Sequence, residues 1–288
     1  MTAALRLQAE ALDRLRRELH DGRSEAFENY LNASARFFPY GWRNCLLIAD
    51  QRPGVTHLAG AGDWRALGRP VRRGETGITL FDEAEGPRSR QGTGEWVPNE
   101  RALFVPFRNT VVYDVRQTSG PPWKMEHDPA ELSLLRLRDL LVKAGAHFEY
   151  VSAMAARPVE PTASGLRVLR GLRPGEEFAA LSHQLARQML HDGRLIEPAS
   201  DRAATRQAGA VAFVVCRGVG VEPSKPAAEF VPEFMGRAGE LGTALWRLHE
   251  VSSQILTELV PERELDLGRS GSPREPAADR GDALLWDR

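Results

Sequence analysis

The 288-residue chain predicts an α+β fold in two units. Three observations lead there. Apolar residues recur at helical spacing in the opening 37 residues and again through the second half. Short apolar runs bounded by turn formers punctuate these helices and read as strands. Between the halves stands Ser119-Gly120-Pro121-Pro122, a sequence that neither a helix nor a central strand accommodates. The expected organisation is a mixed helix and small-sheet unit over 1–120, a linker over 121–130, a mainly helical unit over 131–261 and a disordered tail over 262–288.

Leu5, Leu12 and Leu15 mark the first helix, and Ser24 opens a second as its N-cap with Glu28 in the first turns. Tyr40-Gly41-Trp42 breaks the pattern before a third helix, Arg43 to Gln51, which Pro53 stops. Val55 to Ala59 reads as a strand, Asp63 as the cap of a brief helix, and Ile78 to Phe81 as another strand. Residues 82–100 are rich in turn formers and read as a loop. Ala102–Phe107 and Thr110–Val115 suggest a hairpin around Arg108-Asn109, with Pro106 confining the first strand to an edge or bulge. The second half reads as a helix from Pro129 to Ala144, strands near Phe148–Val151 and Leu166–Leu169, then helices over Gly175–Leu190, Ala204–Val219 and Val231–Leu259. Within the tail only Leu284-Leu285-Trp286 has the apolar character to dock.

Composition excludes several classes. The longest apolar run, Ala210 to Cys216, falls far short of the roughly 20 residues of a membrane span. Charges spread through the first twenty residues leave no apolar core for a signal peptide, so a cytoplasmic protein is expected. Cys45 and Cys216 lie in apolar contexts and read as buried free thiols. The net charge of −1 argues against a surface that is uniformly basic. Residues 1–125 nevertheless hold 18 basic and 15 acidic side chains, and residues 126–288 hold 20 and 24. Only Lys124, Lys143 and Lys225 among the 38 basic residues are lysine. Arginine suits phosphate and stacks on bases, although GC-rich codon usage produces the same bias.

The basic surplus lies in Tyr40–Phe81, where six arginines face Asp50, Asp63 and Glu75. Trp42 and Trp64 are each followed by an arginine, and Arg69, Arg72 and Arg73 come close behind. Single-stranded nucleic acid is held in this chemical style, with bases on aromatic faces and cations along the backbone. Two core tryptophans and a solvated arginine face account for the same residues without a ligand.

The spacing within this block carries a family resemblance. YGWRNCLLIADQRPGVTHLAGAGDWRALGRPVRRGETGITLF resembles the N-terminal domain of ArdC-type antirestriction proteins. Tyr40, Asn44, Leu47, Ile48, Gln51 and Pro53 match the family's Y-S-x-x-N-x-x-L-I-x-x-Q-x-P. Trp64, Gly68, Arg69, Val71, Gly74, Glu75, Gly77 and Ile78 match W-x-x-x-G-R-x-V-x-K-G-E-x-G-I, with Arg73 for its Lys. Asp114, Val115, Gln117 and Thr118 match F-D-V-x-Q-T. The resemblance implies a domain that binds single-stranded DNA largely without sequence preference. Tyr40, Trp42 and Trp64 are then the stacking candidates and Arg69, Arg72 and Arg73 the phosphate candidates. Asn44 suits either bracing a turn or reading a base.

The second half holds a metal motif without its ligands. In H-E-x-x-H two histidines on one helical face chelate zinc, and the glutamate is general base. Here the run is His183-Gln184-Leu185-Ala186-Arg187: the base is a neutral amide and the second ligand a cation. In ArdC-like and ImmA/IrrE-type domains a later helix resembling E-x-E-A-E-A-V-A-Y-V-V-C supplies a carboxylate. This chain keeps the apolar half of that helix but places Gln207 and Gly209 at the acidic positions. The resemblance thus implies a zincin-like scaffold that has lost its metal and its chemistry. His183, Arg187 and His191 form a rough stripe with no partner carboxylate evident, and Arg187 is expected to stand in the cation's place beside an acid or carbonyl. Neither Ser182-His183 nor Gly218-Val219-Gly220 supplies a nucleophile or phosphate loop. The expected function is non-catalytic single-stranded DNA binding of antirestriction type, linked to mobile elements, without cofactor or membrane contact and with a protein partner possible through the second unit. The alternative is a protein-interaction or regulatory module with weak or no DNA binding.

Overall fold

The computed structural model describes residues 3–81, 109–123, 129–155, 157–191, 200–235 and 238–260. The loop expected at 82–100, the strand at 102–107 and the tail at 262–288 lie outside these. The described elements are α1 (Ala3–His20), α2 (Glu25–Arg36), α3 (Trp42–Gln51), β1 (Leu58–Gly60), α4 (Ala61–Ala66), β2 (Ile78–Phe81), β3 (Asn109–Asp114), α5 (Ala130–Lys143), β4 (His147–Val151), β5 (Val159–Thr162), β6 (Gly165–Leu169), α6 (Pro174–His191), α7 (Asp201–Gly218) and α8 (Ala238–Leu259). The class is α+β, as the alternation of helical stripes and short apolar runs predicts.

The first sheet has order β1-β3-β2, all antiparallel, with Ala59 opposite Tyr113 and Thr79 opposite Val111. β3 is its centre, and among the described residues its partners are β1 and β2. Period-two alternation sends Val112 and Asp114 inward and leaves Val111 exposed on the outer face. The second sheet has order β4-β6-β5, with β4 and β6 parallel. β5 escaped the sequence reading because Pro161 interrupts it, which an edge strand tolerates.

α3 underlies the first sheet through two amides. Asn44 Nδ2 donates to Phe81 O at 3.0 Å, and Phe81 N–H returns to Asn44 Oδ1 at 2.9 Å. Gln51 makes the same pair with Thr79, at 2.9 and 3.0 Å. Residues seven apart lie on one helical face, and strand residues two apart point their backbone groups one way. The two amides therefore act as a substitute strand along the edge of β2.

One main core draws on both halves of the chain, from Leu15, Tyr30 and Leu47 to Leu185, Val214 and Leu256. α1 packs on α8 and α2 on α7. The buried Tyr30 hydroxyl donates to Leu245 O at 3.0 Å, tying α2 to α8. The boundary expected at 121–130 thus separates the two sheets, while the main core spans it; residues 124–128 of that boundary are outside the described residues.

Several expected boundaries move. α8 begins at Ala238, not Val231, because Pro232 supports only a short 3-10 turn, Val231–Glu233. α4 begins at Ala61 with Gly60 before it, so Asp63 sits in the first turn instead of capping. α7 starts earlier, at Asp201, where the Ser200 hydroxyl accepts from Ala203 N–H at 3.1 Å. Ser24 does precede α2, without a side-chain cap bond. Cys45 and Cys216 are buried and free, and burial pushes the Cys216 thiol up to about 12. Among the described residues no helix is long and apolar enough to cross a membrane.

Candidate functional site

The two later motif blocks are one piece of structure. Residues 69–72 run antiparallel to 117–121: Val71 bridges Thr118, Arg72 N–H donates to Gln117 O at 2.9 Å, and Ser119 N–H to Pro70 O at 2.9 Å. Arg69 is buried beneath this seam. Its Nε donates to Thr118 Oγ1 at 3.0 Å and its Nη1 to Pro121 O. Arg72 donates to Glu75 Oε1 at 3.1 Å and to Thr118 O at 3.3 Å. Gln117 Nε2 reaches Glu75 Oε2 at 3.1 Å and Thr76 O at 2.8 Å, while its Oε1 accepts from Asp114 N–H at 2.9 Å. The Gln117 and Arg72 donors hold the Glu75 carboxyl below its usual range.

Asp114 anchors the other side. It is fully buried and accepts from Thr56 N–H and Oγ1, both at 3.2 Å, and from Arg116 Nε at 2.5 Å. Burial pushes its carboxyl up, but the Arg116 and backbone hydrogen bonds outweigh that and hold it below the usual value.

The predicted contact residues separate into two sets. Trp64 is 1% exposed and its Nε1 donates to Tyr113 O at 2.8 Å, so it offers no face to a ligand in this structure. Arg69 and Asn44 are likewise interior and bonded to backbone or Thr118. Asn44 thus does the bracing that its short amide suits. Tyr40 is half-buried with its ring edge-on to Phe37, 6.4 Å between centroids. Trp42 is half-buried at the α3–α8 contact, beside Gly242, with the Arg43 guanidinium 5.6 Å over its ring. Arg72 and Arg73 reach solvent.

On the outer face of the first sheet sits an aromatic group that residue types alone did not single out. Tyr113 and Trp123 are half-buried with Val71 around Ala59, Trp64 and Val115. Trp123 stands edge-on to Trp64, centroids 5.4 Å apart, and to His57 at 5.2 Å. Gly77 makes room: a Cβ there would lie 2.4 Å from Val111 Cγ1 and 3.0 Å from the Tyr113 ring. The signal for Tyr113 was the alternation of Thr110–Val115; Trp123, just past the proline pair, had none.

The helix pair α6–α7 carries the remaining candidates. His183 Nε2 lies 3.0 Å from Thr205 O, so this nitrogen bears the proton and donates. Burial, then the nearby cations Arg157, Arg187 and Lys225, lower its pKa against the opposing Thr205 hydrogen bond. Arg187 pairs with Asp201, and Arg157 reaches Asp201 Oδ2 at 3.3 Å and Thr205 Oγ1 at 3.4 Å. Gln184 is buried, and Gln207 Oε1 is buried with no partner among the described residues. At Gly209 a Cβ would stand 2.5 Å from the Phe230 ring. The side chain of His191 is outside the described residues. A divalent cation needs several free lone pairs on one face. Here the imidazole nitrogen donates, burial and nearby cations lower the ring's proton affinity, and Phe230 fills the space of any side chain at 209. These residues do not fit a metal ion.

No family model matches the chain, and no curated protein matches it significantly. Solved structures do. The antirestriction ArdC protein from the R388 plasmid, in its Mn(II)-bound structure, superposes with TM-score 0.53 at 16% identity, covering 92% of this chain and 99% of that one. Its metal-free structure gives 0.52 at 17% identity, covering 88% and 96%. Nearly the whole chain therefore shares the fold of these ArdC structures.

Proposed function

We propose that this chain is a non-catalytic, single-stranded DNA-binding protein of the ArdC-like antirestriction type. One observation carries the reading. The residues that resemble the ArdC pattern, Arg69, Val71, Glu75, Gln117 and Thr118, are those that sew 69–76 to 114–121. That seam borders exposed Arg72 and Arg73 and half-buried aromatic rings, the pairing of cation and π-face that single strands need. The likeness in fold to a protein named for antirestriction supports the same reading.

The α6–α7 pair serves as a scaffold in this proposal. Where a metallopeptidase presents lone pairs and a general base, this chain presents a donating imidazole, an amide and an ion-paired arginine. Arg187 and Asp201 supply the cation and acid that join the two helices in place of a metal. Purified protein is expected to carry no stoichiometric zinc or manganese and to show no peptidase activity.

The deciding measurement is fluorescence anisotropy with a labelled single-stranded oligonucleotide across a salt series. Engagement of about three phosphates gives a slope of log affinity against log salt near −2. Duplex of equal length should bind more weakly. Absent or salt-insensitive binding would overturn the proposal in favour of a protein-interaction module. One feature favours that second reading: α5 exposes Leu132, Leu135 and Val142 along one stripe, beside a cleft of about 290 Å³ lined by Leu134, Leu135, Leu172 and Arg138.

A further inference from the structure

We infer that bases of the bound strand stack on the outer face of the first sheet, at Tyr113 and Trp123 with Val111 beside them. This rests on the single-stranded DNA reading and names the surface within it.

The tryptophans singled out by sequence are poorly placed for the task. Trp64 is enclosed, and its N–H is spent on Tyr113 O. Trp42 lies against α8 on the main core, with a guanidinium over its ring. Tyr40 packs on that same core. The seam of 69–76 with 114–121 instead borders the smaller outer cluster, through Val71.

That cluster is built as an open platform. β3 sends Val111 and Tyr113 to the outer face, where Val111 is 46% exposed. Its neighbours there are small, Ala59 across from Tyr113 and Gly77 against the Tyr113 ring, so among the described residues no bulky cross-strand side chain flanks the ring. Trp123 is pinned edge-on by Trp64 and His57. Its indole N–H is buried and without an acceptor among the described residues, so what the half-buried side chain offers a base is its ring and not its donor. The segment carrying Trp123 is held by Arg69, which donates to Pro121 O two residues earlier. Arg69 is therefore a positioning residue for the indole and not a phosphate ligand.

Charge selects the occupant. Arg65 follows Trp64, and Arg72 and Arg73 follow Val71; all three are exposed, Arg72 while paired with Glu75. An apolar π-face whose adjoining residues are exposed arginines suits a chain of phosphates whose bases are free to lie flat. In a duplex the base faces are already stacked on one another.

Four variants test the surface, with anisotropy at one salt concentration and an unfolding midpoint for each: Val111→Glu, Trp123→Leu, and as controls Trp42→Leu and Val142→Glu at an exposed valine of α5. Val111→Glu and Trp123→Leu should each weaken oligonucleotide binding about tenfold or more, while both controls bind as wild type. An abasic oligonucleotide should bind wild type weakly and lose little more on Trp123→Leu. Wild-type affinity in both Val111→Glu and Trp123→Leu, alongside salt-dependent binding by the parent, would overturn the surface and leave the DNA reading standing. Failure of the parent to bind would remove both. Should Trp123→Leu lose its fold, Val111→Glu decides, since Val111 is exposed and the substitution removes little packing.

Discussion

The outer sheet seam and the α6–α7 pair both rest on arginine and carboxylate, and they use them in opposite ways. In the seam two charged groups, Arg69 and Asp114, are interior. Asp114 is fully buried and Arg69 7% exposed, and each meets backbone groups from segments about 50 residues away. Between α6 and α7 the pair is at the surface, with the Asp201 side chain 66% exposed. The apolar half of α7 remains buried there from Ala208 to Cys216. The contrast teaches which positions are bound by folding. A buried carboxylate must keep its donors, because losing them leaves an uncompensated charge. A surface ion pair is free to change identity as long as the stripe beneath it packs.

The sharpest way to break this contrast is Asp114→Ala. It removes the acceptor for Thr56, His57 and Arg116, and should cost about 3 kcal/mol in urea unfolding. The carboxyl is held below its usual 3.8, so its contribution is fully present above that pH and is lost as pH falls through the lowered folded value. A wild-type stability curve flat through that range would contradict the assignment.

Gly209→Ala comes next. Phe230 is buried and cannot swing aside, so overpacking outweighs the gain in helix propensity and a net loss of about 1 kcal/mol is expected. A stabilised variant would mean that the α7 position has room for a side chain.

His183→Gln probes pH. The folded histidine titrates below its usual 6.5, so as pH falls the unfolded chain binds the proton first. Stability should be unaffected above about pH 7 and decline below 6.5, and the glutamine variant should flatten that decline in unfolding midpoints.

The smallest effect belongs to Arg187→Met. A slight fall in thermal midpoint, vanishing at high salt, is expected because the partner carboxylate is solvated. A chelator should leave the wild-type midpoint unchanged. A midpoint identical to wild type at low salt would remove the idea that Arg187 stands in for a cation.

Much of the architecture was legible. Helical stripes and cap signals located seven of the eight described α-helices to within a few residues, and alternation in Thr110–Val115 identified β3. The early part of α8 was misread because Val231 and Phe234 keep an apolar spacing although Pro232 and the turn chemistry oppose a helix. β5 was missed because its proline removes the strand signal while its edge position makes that harmless. The candidate site was half legible. The motif blocks were visible as residue types, but their joining through Arg69, Glu75, Gln117 and Thr118 depends on contacts across about 40 to 50 positions.

What the sequence alone determined was periodicity and chemistry: which stretches are helical, which residues carry charge, and that the H-E-x-x-H positions hold an amide and a cation. Only the tertiary structure decided exposure. Trp64 and Trp123 are the same residue type near similar neighbours, yet one is enclosed and the other half-open. Burial is a property of what packs against a side chain, and the neighbours of Trp64 arrive from β3 and the segment after Pro121-Pro122, far away along the chain.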